Sequence, residues 1–78
     1  MNRLFNFCKS IRNYNAIYKC RRDAIKLRSE EGFESVPVQL ALINQIIENP
    51  EQHYEMYIQY GEMFFYLEYL VYKDQSVS

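Results

Sequence analysis

Four residues of this chain, Gly32, Pro37, Pro50 and Gly61, are the only ones whose backbone chemistry opposes a helix. Three of them stand where a helix should begin or end. Gly32, in "EEGFES", suits the left-handed conformation that closes a helix. Pro37 follows Ser35, a natural N-cap, and falls in the first turn, where a missing N–H costs nothing. Pro50 ends the segment before it, because the residue preceding a proline is biased away from helical values. With Asn49 as cap and Gln52 three residues on, it also opens the next segment. The punctuation predicts an all-α, three-helix protein: two long helices over 2–29 and 50–73 and a short one over 36–48, arranged as an antiparallel bundle or as a helical-hairpin dimer. Residues 1–73 then form one domain, and 74–78 form a polar tail expected to fray.

The Tyr-rich last segment is the one place where strand competes, since Tyr, Phe and Val favour sheets. Periodicity decides against it. Tyr57, Tyr60, Phe64, Leu67 and Val71 recur at three- and four-residue steps, and Glu51, Glu55, Glu62 and Glu68 do not alternate.

A chain of 78 residues has room for one modest core and commonly needs reinforcement. A disulfide is not the expected device. Cys8 and Cys20 are twelve residues apart on one helix, roughly 18 Å at about 1.5 Å rise per residue, well beyond bridging distance. With one histidine, His53, and no CxxC pair, no metal site is expected either. Unpaired thiols fit a reducing compartment, so the expected location is cytoplasmic. No run of apolar residues reaches the length of a membrane span, and "MNRLFNFCKSIRN" is too polar for a secretory signal. Association with another chain is the remaining way to enlarge the core.

The charge is segregated. Residues 1–29 hold eight bases and one acid, Asp23, for +7; residues 30–78 hold one base, Lys73, and nine acids, for −8. On a 100° wheel, Leu4, Phe7, Cys8, Ile11, Tyr14, Tyr18 and Ile25 form a stripe on the first helix, flanked by Arg12, Lys19 and Lys26 on one side and Arg3, Arg21 and Arg28 on the other. This stripe is the expected core face. Arg22 projects from near its middle, and its guanidinium is expected to escape to solvent or to pair with an acid of the last helix. The opposite face, Ala16, Ile17, Cys20, Ala24 and Leu27, is only weakly apolar. The expected core is Leu4, Ile11, Tyr18, Ile25, Leu40, Ile43, Ile47, Tyr57, Tyr60, Phe64, Leu67 and Val71.

The last helix is apolar over most of its circumference. A second face, beside the core face, carries Tyr54, Ile58, Phe65, Tyr69 and Tyr72, with Gly61 at its edge; a narrow polar strip holds Glu51, Glu55, Glu62 and Tyr66. A helix apolar nearly all round is buried on most sides, and a short second helix cannot cover the whole of a long pair. Tyr54, Ile58, Gly61, Phe65, Tyr69 and Tyr72 are therefore the expected protein interface, for a partner or a second copy. Gly61, costly inside a helix, is read as a point of close approach.

No pattern for catalysis emerges. His53 lacks the doubled Glu-x-x-His arrangement of bundle carboxylate sites, Ser10, Ser29 and Ser35 have no nucleophile partners, and no phosphate-binding glycine loop exists. No enzyme, cofactor, metal or small-molecule substrate is expected. The expected role is that of a small interaction protein acting as regulator, inhibitor or adaptor, as a homodimer or on a protein partner. The rival reading is a nucleic-acid-binding regulator that uses the basic first helix through Arg12, Lys19, Arg21, Arg22, Lys26 and Arg28. Against it, the flanking geometry places these residues beside the core stripe, not on the face away from it. In its Tyr- and Asn-rich, motif-free character the chain resembles small accessory or host-interaction proteins carried by phages and mobile elements, a likeness of composition that assigns no residue a role.

Overall fold

The computed structural model describes residues 2–77 as backbone and residues 14–76 in their side-chain surroundings. The order of elements is α1 (Asn2–Arg28), a 3-10 turn (Phe33–Ser35), α2 (Pro37–Glu48), α3 (Pro50–Tyr60) and α4 (Met63–Val77). The class is all-α, as the periodicity required, but the described residues form four α-helices, not three. The expected helix over 50–73 is two, and the second runs on past Lys73 to Val77.

Gly61 causes the division. It adopts φ 80°, a left-handed value, and its N–H donates to the Tyr57 carbonyl at 3.0 Å, which closes α3. Tyr66 N–H then bonds the Glu62 carbonyl at 3.1 Å and α4 begins. No atom lies within 4 Å of where a Cβ on Gly61 would stand. The glycine is there for its backbone angle and not for a neighbour's close approach, which corrects the sequence expectation.

The other signals are met in part. Pro37 and Pro50 occupy the first positions of α2 and α3, as expected. Gly32 is left-handed at φ 86°, although α1 has already ended at Arg28 and the glycine instead leads into the 3-10 turn. The caps differ. Val36 holds the N-cap position of α2, Ser35 Oγ donates to the Gly32 carbonyl at 2.6 Å, and Asn49 makes no side-chain bond to α3.

Every pair of helices is in contact. Because the 50–77 segment folds at Gly61, α2 packs against both of its halves, and the argument that a short second helix must leave half of a long rod bare no longer applies. The buried core comprises Cys20, Ala24 and Leu27 of α1, Phe33 of the 3-10 turn, Ile43 and Ile46 of α2, Tyr57 of α3 and Met63, Tyr66 and Leu67 of α4. Leu40, Leu42, Ile47, Tyr54, Tyr69 and Leu70 pack against its rim.

On α1 the expected orientation is reversed. The face with Cys20, Ala24 and Leu27 is the buried one, while Tyr14, Tyr18 and Ile25 point to solvent. Small residues allow α2 and α3 to lie close to α1, so the bulky Ile43, Ile46 and Tyr57 fill the space that Ala24 and Cys20 leave. Judging the core face by residue size selected the wrong side. Burial also raises the Cys20 thiol to about 11, with the Asp23 carboxylate adding to the effect.

Elsewhere Ile43, Tyr57 and Leu67 are buried as expected, Leu40 and Ile47 are half-buried, and Val71 is half-buried. Tyr60 and Phe64, expected inside, are exposed, and Tyr66, expected in the polar strip, is buried. Leu4 and Ile11 lie outside the residues whose side chains are described.

Candidate protein interface

The break at Gly61 resets the register of everything after it. On α4, Met63, Tyr66, Leu67 and Leu70 follow at steps of three, one and three, a single stripe turned to the core. Phe64, Phe65, Glu68 and Tyr72 are left on the outer side. Phe64 is 44% exposed, Phe65 49% and Tyr72 72%. The two phenylalanine rings meet edge to face with centroids 6.1 Å apart, so they form one apolar surface. On α3, Ile58 is exposed at 52%.

The remaining expected interface residues are held within the protein. Tyr69 stacks on Tyr66 at 6.4 Å and packs with Tyr60 at 5.2 Å, while Tyr60 reaches Tyr66 at 5.8 Å. These three rings join α3 to α4 across the elbow. Tyr54 packs on the rim of the core, with its hydroxyl donating to Glu55 at 3.3 Å. Gly61 forms the elbow. Of the six positions, Ile58, Phe65 and Tyr72 are free to meet another molecule, and Phe64 joins them. Reading Gly61 as a helix end would have found Phe64, because the heptad-like stripe that starts at Met63 leaves it outside.

Beneath the elbow, His53 Nδ1 lies 2.6 Å from the Tyr66 hydroxyl, with the rings edge to face at 5.8 Å. Burial lowers the imidazole below its usual range and pushes the Tyr66 phenol up to about 12, the neighbouring Cys20, Tyr69 and Tyr60 adding to the latter. Both groups are thus held neutral, as a structural pair needs.

No protein-family model matches this chain, nor does any curated protein or solved structure.

What the molecule can do is therefore read from its own surfaces. Among the described residues no group of three or more His, Cys, Asp or Glu could hold a metal ion, and no helix is long and apolar enough to cross a membrane. Lys19, Arg21, Arg22 and Lys26 are exposed on α1, on the side away from the core. This corrects the expectation that they flank a buried stripe. Arg28 is half-buried and donates to Asn44 Oδ1 of α2 at 2.9 Å. Arg22 does not cross to the last helix; its Nε lies 3.4 Å from Asp23 Oδ1, its neighbour on α1. Arg12 lies outside the described side chains.

Proposed function

We propose that this chain is a non-enzymatic interaction protein that covers the outer face of α4 with another polypeptide, and in doing so regulates, inhibits or adapts that partner. The observation that carries the reading is the pair Phe64 and Phe65 with Tyr72, three large side chains exposed together on a helix whose opposite side already supplies Met63, Tyr66 and Leu67 to the core. Isolated apolar residues on a surface need no explanation, but two exposed rings in contact, with a third two turns further along the same side, are characteristic of contact sites. Glu68 is exposed on the same side, between the phenylalanines and Tyr72, and Glu62 is exposed just ahead of them.

The test is Phe65→Asp, followed by light scattering, circular dichroism and capture from the cells that make the protein. Helicity should be retained, since the side chain is half in solvent. A wild-type dimer that becomes a monomer identifies the covering polypeptide as a second copy. A wild-type monomer should instead capture a protein that, once purified, binds the variant at least about thirtyfold more weakly, the loss expected of a central contact residue. Unfolding of the variant, or mass and capture both unchanged, overturns the proposal.

A further inference from the structure

The charge segregation of the sequence is not cancelled by the fold. Among the described residues, the one ion pair involves Arg22 and Asp23, adjacent on α1, and the second Asp23 oxygen accepts from the Tyr57 hydroxyl. No acid of α2, α3 or α4 pairs with Lys19, Arg21, Arg22 or Lys26. These four cations stand exposed on the same side of α1 as Tyr14, 71% exposed, and Tyr18, 62% exposed. Tyr18, Arg21, Arg22, Ile25 and Lys26 line a shallow groove of about 310 Å3, with three cations and no acid in its wall. A second groove of about 400 Å3 extends from Tyr14 and Tyr18 toward the α2–α3 junction, where Glu48 and Glu51 enter its wall.

We propose that the outer face of α1 binds single-stranded nucleic acid. Arg21, Arg22 and Lys26, with Lys19 beside them, meet the phosphates along the acid-free groove, and the rings of Tyr14 and Tyr18, one turn apart, stack on bases. Charge complementarity selects a polyanion, and the aromatic pair selects a strand whose bases present open faces. A duplex hides those faces, so it can use only the cations. The site is separate from the outer face of α4 and does not depend on how that face is covered.

Fluorescence anisotropy with a labelled oligothymidylate, a single-stranded RNA and a DNA duplex tests this on the whole chain. Four phosphate contacts give a salt slope of about −3, so affinity for the single strands should fall about fiftyfold between about 50 and 200 mM salt. The double variant Arg21→Glu, Arg22→Glu should abolish binding. Tyr14→Ala with Tyr18→Ala should weaken single-strand binding by about tenfold or more while leaving any duplex binding unchanged. All four side chains are exposed, so circular dichroism should be unaltered. Absence of binding at low salt, or affinity that the arginine variant does not change, overturns the proposal. So does a duplex that binds as tightly as the single strands with no effect of the tyrosine variant, which is plain polyanion attraction. A particle mass that falls in the arginine variant without any oligonucleotide binding assigns the face to a second copy instead.

Discussion

Tyr57 of α3 donates its hydroxyl hydrogen to Asp23 of α1, joining two residues 34 apart in sequence at the place where the small face of α1 meets the core. The Asp23 side chain is 23% accessible, and its other oxygen faces Arg22. Burial, followed by the bond to Asp23, raises the Tyr57 phenol well above its ordinary range, so it stays a donor. Removing only the hydroxyl, with Tyr57→Phe, leaves the ring in place and the carboxylate short of a partner. Chemical denaturation should show a loss of about 1–3 kcal/mol, and Asp23→Ala should show a similar loss. The double variant should fall well short of the sum, because both changes remove the same bond.

Exchanging side chains on α1 tests which of its faces is inside. Ala24 is fully buried against larger residues, whereas Ile25 is exposed. Ala24→Leu should overpack the core and cost about 1–3 kcal/mol. Ile25→Ala should cost under about 1 kcal/mol, since an exposed side chain leaves no cavity behind. The opposite ranking, read from thermal or urea melts, would restore the large-residue stripe as the core face.

Gly61 gives a prediction whose sign separates two structures. In a continuous helix, Gly→Ala stabilises by about 1 kcal/mol. At φ 80° with open space around the missing Cβ, the methyl group meets no clash but forces an L-residue into a left-handed turn. Gly61→Ala should therefore destabilise by about 1–2 kcal/mol, and Gly61→Asn should cost less, because Asn tolerates this conformation.

Stability should fall in mild acid through His53. Its folded-state value lies below the ordinary 6.5, owing to burial. The unfolded chain therefore takes up a proton first as pH falls, so the contribution is complete above about 6.5 and is lost as pH drops toward the lowered folded-state value. Protonation also makes both ring nitrogens donors, so the 2.6 Å contact of Nδ1 with Tyr66 then requires the hydroxyl oxygen to accept. Melting temperature compared at pH 7.5 and pH 5.5 should show a smaller drop for His53→Gln than for the wild type. An equal drop in both proteins would assign the acid sensitivity to carboxylates.

Fold class was legible because it depends on local chemistry. The three- and four-residue steps of the apolar residues and the positions of Pro37 and Pro50 are enough for helices that begin there. The site was legible only in part. Ile58, Phe65 and Tyr72 were placed on an outer face, but Tyr54 and Tyr69 were assigned there too, and Phe64 was assigned to the core. The misplacements of Phe64 and Tyr69 trace to Gly61, whereas Tyr54, which precedes it, is drawn to the core rim by packing within the bundle. A glycine with helix-forming residues on both sides reads equally as an interior residue or as an end, and the two readings differ in register for every residue that follows.

The chain by itself determined that it is helical, that helices start at its prolines, and that its two halves carry opposite charge, because propensity, capping and charge belong to single residues and their near neighbours. Only the packed structure decided which side of α1 lies inside, where the last segment bends, and whether the opposite charges meet. Those outcomes depend on how closely helices approach one another. A small face at Cys20 and Ala24 buried against Ile43 and Tyr57 is more favourable than a large one turned inward, and no property of α1 taken alone contains that comparison.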